Sequence, residues 1–218
     1  MKKIGILGTG MVGNTIGSKL IALGYEVKMG SRTTNNPKAA EWVQKNGKNA
    51  SQGSFAEAAS FGELVFNCTK GEHSLEVMKL SGIQNLAKKI LIDISNPLDF
   101  SKGMPPIFIP ELANTNSLGE ELQKMLPETH VIKTLNIVNC EVMVDASKCG
   151  GDATMFLAGN SEEAKDETKN ILLQFGWTDI LDLGDIRNAR STEMMMPIWL
   201  SAYMTLKNGY IGFKIVRS

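Results

Sequence analysis

The stretch KIGILGTGMVGNTIGSKLIALGYEVKMGSR, residues 3–32, decides the fold of this chain. An apolar run over residues 4–7 predicts a buried strand, and a GxGxxG motif follows it directly at residues 8–13. The residues up to Leu23 have the pattern of an amphipathic helix, and a second strand is predicted to end at Gly30. Strand, glycine-rich turn, helix and strand in this order are typical of the first unit of a dinucleotide-binding fold.

Each glycine of the motif has a physical role in that interpretation. Gly8 permits the tight turn out of the strand, and Gly10 lets a pyrophosphate approach the backbone without meeting a Cβ atom. Gly13 lets the helix pack closely on the sheet. The phosphates would then lie on unpaired amides at the positive end of the helix.

The end of the second strand predicts which dinucleotide is bound. NAD-binding chains usually carry Asp or Glu about 20 residues past the motif, where the carboxylate holds the ribose 2′-hydroxyl. This chain has Ser31 and Arg32 there, which can bind a 2′-phosphate, and Lys38 adds positive charge nearby. Glu26 lies at the opposite end of the strand. The predicted cofactor is therefore NADP(H).

Composition limits the possible classes of function. The chain has 218 residues with 23 basic and 23 acidic side chains, and 43% of its residues are hydrophobic. This length fits one α/β domain, or one with a small appendage. No basic stripe alternates with aromatic residues, so we expect no nucleic-acid partner.

The sequence also favours a location and argues against a metal. The first predicted strand follows Lys2 and Lys3 at once, so we expect no signal peptide. The apolar run at residues 194–200 is far too short to span a bilayer, so we expect no membrane partner. Three cysteines without CxxC spacing predict free thiols and a cytoplasmic protein. With only two histidines, no metal site is expected.

Strand and helix patterns alternate along the rest of the chain. Capping signals at Ser54-x-x-Glu57 and Asn160-x-x-Glu163 predict two helix starts. We predict an α/β, Rossmann-type doubly wound parallel sheet with a small C-terminal α/β segment. The dinucleotide-binding domain would cover residues 1–136, and residues 137–218 would complete the substrate side of the cleft. The further strands are predicted at residues 64–67, 90–94, 131–135, 153–158 and 178–181.

In such a sheet the ligand lies over the carboxyl ends of the strands. The loops at residues 8–13, 30–32, 69–73 and 95–98 are therefore expected to line the cleft. The 95–98 loop suits either a fixed turn near the nicotinamide or a simple strand-ending turn.

The last helix is predicted over about residues 187–207, followed by Asn208 and Gly209 as its C-cap. Methionines and Trp199 leave little polar surface on this helix. Such a helix is usually core or an oligomer contact, so we predict a homodimer through it.

At this point the sequence resembles a known family. It is similar to the NADPH-dependent oxidoreductases of the 8-hydroxy-5-deazaflavin (coenzyme F420) type and to the cytosolic oxidoreductase domain of six-transmembrane metalloreductases. The matching stretches are Gly8 to Gly13, Gly30 to Arg32, Glu72-His73, Lys133 to Asn136, Gly184 to Ile186, Ala189-Arg190, Glu193, and Asn208-Gly209 to Phe213-Lys214.

The resemblance implies a role for two of these stretches. Thr9, Met11 and Val12 would meet the pyrophosphate of NADPH. Ser31 and Arg32 would hold the 2′-phosphate.

It also implies a nicotinamide end of the cleft, with a flavin-like small molecule laid against the ring. Thr69, Lys70 and His73 would lie near the nicotinamide. Asn96 and Pro97 would lie beside them.

Two departures bear on the hydride acceptor, which could be a deazaflavin, FMN or FAD. Deazaflavin enzymes tend to have an apolar residue and proline where this chain has Thr69 and Lys70, and a histidine where it has Asn136. Asn136 resembles the metalloreductase pattern, whose acceptor is an ordinary flavin.

Hydride transfer between stacked rings needs little acid–base help. His73 and Asn136 are the catalytic candidates, although a single histidine is also a common structural residue. Two alternatives stay open. One is an NADPH-dependent imine or keto-acid reductase, and the other is a module that senses NADP(H) without turnover.

Overall fold

The computed structural model describes residues 2–217. The strands in this part of the chain are β1 (Lys3–Leu7), β2 (Glu26–Ser31), β3 (Ala50–Ser54), β4 (Leu64–Asn67), β5 (Ile90–Asp93), β6 (Leu98–Asp99), β7 (Ile107–Phe108), β8 (His130–Thr134), β9 (Thr154–Gly159) and β10 (Asp179–Asp182). The α-helices are α1 (Met11–Ala22), α2 (Pro37–Asn46), α3 (Phe55–Phe61), α4 (Gly71–Ser81), α5 (Ile83–Leu86), α6 (Leu118–Met125), α7 (Cys140–Met143), α8 (Glu162–Gln174), α9 (Ala189–Met194) and α10 (Met196–Leu206).

The strands form one large sheet and one small hairpin. The large sheet has the order β10-β9-β8-β5-β4-β1-β2-β3. All pairs from β3 to β8 are parallel, β9 is antiparallel to β8, and β10 is parallel to β9. The six parallel strands therefore have the doubly wound order, with its reversal between β1 and β4. The predicted α/β, Rossmann-type fold is confirmed.

The C-terminal part extends this same sheet. Strands β9 and β10 continue from β8 at one edge. The hairpin of β6 and β7 stands apart from the sheet, between β5 and α6 in the chain. The division into residues 1–136 and 137–218 stays a prediction.

Helices cover both faces of the sheet. One core contains buried residues of α1, α2, α7 and α8, including Ile16, Trp42 and Ile171. The other contains buried residues of α3, α4, α6 and α9, including Val77 and Leu122. Because both faces are covered, β1 and β4 are buried along nearly their whole length.

Local hydrogen bonds explain where the helices begin. The predicted capping box is present at α3, where the Ser54 and Glu57 side chains each accept from the other's backbone amide. The predicted cap of α8 at Asn160 was wrong. Ser161 caps that helix, and Asn160 instead accepts a hydrogen bond from the amide of Ile186 through Oδ1.

The last helix also differs from the prediction. It is divided into α9 and α10, and Pro197 occupies the first turn of α10. Proline has no amide hydrogen, so it cannot continue the hydrogen bonding of α9 but is well suited to a helix start. The helix ends at Leu206, and Lys207, whose φ is 50°, is its C-cap in place of the predicted Asn208 and Gly209.

Strand β3 was not predicted. Its sequence, ASQGS, has neither an apolar run nor alternation of apolar and polar residues. It is an edge strand formed by pairing with β2, so long-range contacts rather than local pattern define it.

Candidate functional site

The candidate site is a cavity over the carboxyl ends of β1, β2 and β4, where the strand order reverses. Its volume is about 370 Å³. It is lined by Gly8, Thr9, Gly10, Ser31, Arg32, Asn36, Phe55, Cys68, Thr69, Lys70, His73 and Val77. The loops after these three strands thus converge as the sequence predicts. No Asp or Glu is among the described residues that line it.

The glycine-rich loop forms one wall of the cavity. Gly8 has a φ of +122°, and a Cβ atom there would lie 2.8 Å from the carbonyl oxygen of Cys68. A Cβ atom on Gly13 would lie 2.2 Å from the carbonyl oxygen of Gly8. By contrast, a Cβ atom on Gly10 would meet no atom of the described residues within 4 Å. The protein's own packing requires the first two glycines, whereas Gly10 leaves open space beside the loop.

That open space adjoins the N-terminus of α1. Gly10 is the N-cap residue and supplies no side-chain hydrogen bond. The amides of the first turn, at Met11, Val12 and Gly13, therefore lack a side-chain cap and an intrahelical partner. Such a turn is suited to a pyrophosphate. This arrangement fits the predicted roles of Thr9, Met11 and Val12, which stay predictions.

The loop after β2 supplies the cationic end of the cavity. Arg32 is exposed and forms no ion pair within residues 2–217. Ser31 is buried, and its hydroxyl donates to the carbonyl oxygen of Thr33 at 2.5 Å. Lys38 lines a neighbouring cavity of about 290 Å³ that shares Thr9 and Gly10 with the first. These groups fit the 2′-phosphate of NADP(H).

Thr69, Lys70 and His73 lie at the opposite end. The Thr69 hydroxyl donates to Oδ1 of Asn67 at 2.6 Å, which fixes its direction at the cavity wall. The Lys70 ammonium lies 5.5 Å from the ring centre of Phe100. Half of the His73 side chain is exposed, and its Nε2 atom lies 3.7 Å from a carboxylate oxygen of its neighbour Glu72.

Asn96, Pro97 and Asn136 lie at the ends of β5 and β8 and do not line the cavity. The Asn96 side chain donates to the carbonyl oxygen of Asn136, and the Asn136 side chain donates to Oδ1 of Asn96, both at 2.8 Å. This reciprocal pair joins the two strand ends. The contacts by themselves describe a structural link, so the catalytic role of Asn136 stays a prediction.

A buried ionic cluster lies behind these strand ends. The Lys133 ammonium is 2.5 Å from Oδ2 of Asp93 and 2.8 Å from Oε1 of Glu193, and all three side chains are at most 1% exposed. Glu193 also accepts from the amides of Leu118 and Gly119 at the start of α6. The cluster therefore ties α6 and α9 to the sheet.

Burial in this cluster has opposite effects on the pKa values of Glu193 and Lys133. Burial raises the pKa of Glu193 above its ordinary value, although Lys133 opposes the effect. Burial would lower the pKa of Lys133, but the carboxylates of Asp93 and Glu193 raise it above its ordinary value. Lys133 thus stays charged and fully paired.

Hydrogen bonds connect the cluster to the cavity wall. Asp93 accepts from Asn67 at 2.8 Å and from the Ser95 hydroxyl at 2.6 Å through Oδ1. Asn67 in turn accepts from Thr69, which lines the cavity. Burial beside Asp93 raises the pKa of the Cys68 thiol, so this lining residue is not an activated nucleophile.

The sequence patterns predicted no function for Asn36 or for Lys133. Asn36 lines the cavity, and its signal was its position directly before Pro37, a residue typical of a helix start. The signal for Lys133 was a charged residue inside an otherwise apolar strand. No helix within residues 2–217 is long and apolar enough to cross a membrane. Those residues also hold no group of three or more metal-ligating side chains.

Known proteins are similar to this chain in sequence and in fold. The family described as "NADP oxidoreductase coenzyme F420-dependent" matches residues 3–97. A crystal structure of a proposed F420-dependent NADP reductase from Arthrobacter sp. FB24 is 42% identical, with a TM-score of 0.93 over 100% of both chains. The chain belongs to this NADP oxidoreductase family. The predicted enzyme class, an NADP-dependent oxidoreductase, and the predicted cofactor, NADP(H), are therefore confirmed.

The curated proteins that are similar to this chain include a metalloreductase and an F420-dependent NADP reductase, the two types that the sequence resembles. Metalloreductase STEAP3 of Rattus norvegicus is 29% identical over 202 residues, which are 90% of this chain and 38% of that protein. The F420-dependent NADP reductase of Methanocaldococcus jannaschii is 26% identical over 162 residues, 73% of this chain and 70% of that protein. The chain thus spans well under half of the metalloreductase.

More distant structures share the fold. A reductive aminase from Aspergillus terreus, in complex with NADPH and ethyl-5-oxohexanoate, is 17% identical with a TM-score of 0.64. The match covers 95% of this chain and 63% of the aminase. At this identity the likeness concerns the fold alone.

Proposed function

We propose that this chain transfers a hydride between NADP(H) and a flavin-like ring, either a deazaflavin or FMN or FAD. The observation that carries the proposal is the cavity itself. It combines Arg32, which has no ion pair with any residue from 2 to 217, at one end, an open space at Gly10 and polar side chains at the other end. Such a cavity suits a dinucleotide with a third phosphate, held in one orientation.

The chain's own residues bind and orient the cofactor. The first-turn amides of α1 would hold the pyrophosphate, and Arg32 would fix the 2′-phosphate. With both ends held, the nicotinamide would lie towards Thr69, Lys70 and His73. The bound cofactor supplies the hydride, and the acceptor ring must come within about 3–3.5 Å of it.

Thr69 is the best positioned group at that end. Its hydroxyl hydrogen is directed at Asn67 and its oxygen lies 3.1 Å from the Ser74 hydroxyl, which leaves one lone pair to accept a hydrogen bond from a carboxamide. We assign it an orienting role, which Thr69→Val would test through a fall in turnover with NADPH affinity retained.

The test of the proposed function is a transfer experiment. Purified protein is mixed without oxygen with NADPH deuterated at C4, and separately with a deazaflavin, riboflavin, FMN and FAD. We expect deuterium to reach one of these rings and the nicotinamide absorbance to fall in step. The Gly10→Ala variant is the matched control, because its Cβ meets no protein atom but occupies the space beside the loop. No transfer to any ring would overturn the proposed acceptor class.

The same assay separates the alternatives. An imine or keto-acid reductase would oxidise NADPH with a cyclic imine or keto acid instead of a flavin. The aminase that shares this fold is a longer chain, of which this one covers 63%. A sensing module would bind NADPH and turn over none of these compounds.

We also propose a homodimer through α10. Met196 and Leu200 pack on Leu98, while Ile198 and Leu206 are exposed on the same helix. Light scattering of the purified chain should give twice the mass of one chain, and Ile198→Glu with Leu206→Glu should give the single mass. The cytoplasmic location stays a prediction, which the free thiols of the three cysteines support.

A further inference from the structure

Asn36 lines the cavity with Ser31 and Arg32, and it also caps a helix. It is the N-cap of α2, where its Oδ1 atom accepts from the amides of Lys38 at 3.0 Å and Ala39 at 3.2 Å. Only the oxygen of a carboxamide can accept these two hydrogen bonds. The capping contacts therefore decide which way the amide points.

The other half of the carboxamide is left without a partner. The Nδ2 atom of Asn36 donates to no residue between 2 and 217. The side chain is half-buried, and two hydrogen bonds hold its orientation. Asn36 thus presents two N–H hydrogens at a cavity wall, with little freedom to turn away.

The surroundings of this amide favour an anion. Arg32 lies in the same cavity and forms no ion pair with a described residue. Lys38, two residues on, is also without an ion pair in that part of the chain. The nearest acidic residue of α2, Glu41, is paired with Lys45 at 2.7 Å.

Ser31 is less free to act than its sequence position suggests. Its hydroxyl already donates to the carbonyl oxygen of Thr33, and the residue is only 4% exposed. Arg32 and Asn36 are consequently the side chains at this end of the cavity with uncommitted N–H groups.

We propose that Asn36 is a specificity-determining residue of this enzyme. Its Nδ2 atom donates to the 2′-phosphate of NADP(H), while its Oδ1 atom holds the start of α2. The recognised group is a phosphate monoester on ribose, so binding of NADH should not depend on this donor. The proposal rests on the proposed function, because it places the 2′-phosphate beside Arg32.

The decisive variant is Asn36→Asp. Aspartate has the same shape and caps helices as well as asparagine, so α2 should keep its start. It replaces the N–H donor by an anionic oxygen. We expect calorimetry to show NADPH binding weakened by about ten- to a hundredfold, from the loss of a hydrogen bond to a charged group. NADH affinity and the melting temperature should stay within error.

Asn35→Asp is the matched control. It adds the same charge one position earlier, on an exposed residue that does not line the cavity. If Asn36 contacts the 2′-phosphate directly, Asn36→Asp should weaken NADPH binding at least fivefold more than Asn35→Asp does. Equal effects of the two variants would overturn the proposal, because the long-range repulsion between an added negative charge and the cofactor would then explain the weaker binding.

Two further measurements separate the possible failures. Adenosine 2′,5′-bisphosphate and 5′-AMP probe the same site without nicotinamide, and Asn36→Asp should weaken only the bisphosphate. If Asn36→Asp lowers the melting temperature, Asn36→Ser replaces it, because serine caps α2 but lacks the amide donor. Unchanged NADPH affinity in Asn36→Ser would then refute the role. If the unaltered protein binds NADPH and NADH equally, it is the proposed function that fails.

Discussion

Two cations of this protein sit in opposite environments. Lys133 is fully buried and touches two carboxylates, Asp93 and Glu193. Arg32 is exposed at the rim of the cavity and touches no carboxylate within residues 2–217. A buried charge must be paired inside the protein, whereas an exposed cation without an ion pair remains available to bind an anionic ligand. The presence of ion pairs at Lys133 indicates a structural role, and their absence at Arg32 among the described residues suits the proposed binding role.

The largest effect should come from Lys133→Met. Removing the ammonium leaves two carboxylates buried without a counter-ion, which costs about 3–5 kcal/mol of unfolding free energy. Urea unfolding followed by circular dichroism measures it. The matched control is Lys45→Met, whose pair with Glu41 is exposed to solvent on α2, so its loss should change the unfolding free energy far less. Similar losses in both variants would contradict the structural role of Lys133.

Arg32→Ala should have a smaller effect, and on a different property. The loss of a charge-assisted contact costs about 1.5–3 kcal/mol, so NADPH binding should weaken by about ten- to a hundredfold. NADH binding and unfolding free energy should hardly change. Calorimetry with both cofactors is the measurement, and Arg217→Ala is the control, because Arg217 lines a different cavity. Equal losses for the two cofactors would refute the role of Arg32.

Glu120 and Arg190 form a half-buried ion pair that joins α6 to α9. In burial, this pair is intermediate between Lys133 and Arg32. The guanidinium donates twice to the carboxylate, at 2.7 and 2.5 Å. Burial would raise the pKa of Glu120, but hydrogen bonds from Arg190 and Ser117 hold it below its ordinary value. A lowered folded pKa adds stability above the unfolded pKa, about 4.3, and that stability is lost as pH falls through the folded pKa.

Glu120→Gln should therefore be less stable than the unaltered protein by about 1 kcal/mol at pH 7. The gap should close as the pH falls from the unfolded pKa, about 4.3, through the lower folded pKa, below which Glu120 is neutral in both states. Urea unfolding at a series of pH values gives the comparison. A gap that is constant from pH 7 to pH 3 would show that charge is not its origin.

Local sequence determined the cofactor end of the site well. Gly8 and Gly10 follow one predicted strand and Ser31 and Arg32 follow the next, so the pattern was enough to predict that they line the cavity, while their binding roles stay predictions. Strand β3 was missed because its pairing with β2 rather than its own pattern forms it. The cluster around Lys133 joins residues 40 and 60 positions apart, and no local pattern encodes that distance.

The acceptor end was predicted less completely for the same reason. His73 and Thr69 lie on the loop after β4, as expected from their place in the chain. Asn96 and Asn136 were expected near the nicotinamide, which stays a prediction, and the structure shows that the Asn96 side chain hydrogen-bonds both the backbone carbonyl and the side chain of Asn136. Sequence identified the residues that follow strands, yet it could not show which of them face the cavity and which face one another.

The contact between Glu193 and the start of α6 has a consequence for protein engineering. Glu193 neutralises Lys133, which lies 60 positions earlier in the chain, and accepts from two amides of α6, which lie 75 and 74 positions earlier. Exchanging the C-terminal third with that of a relative would retain a stable scaffold only if the donor brings a carboxylate to this position. Chimeras designed to change the hydride acceptor should therefore be joined after Glu193, or carry it over unchanged.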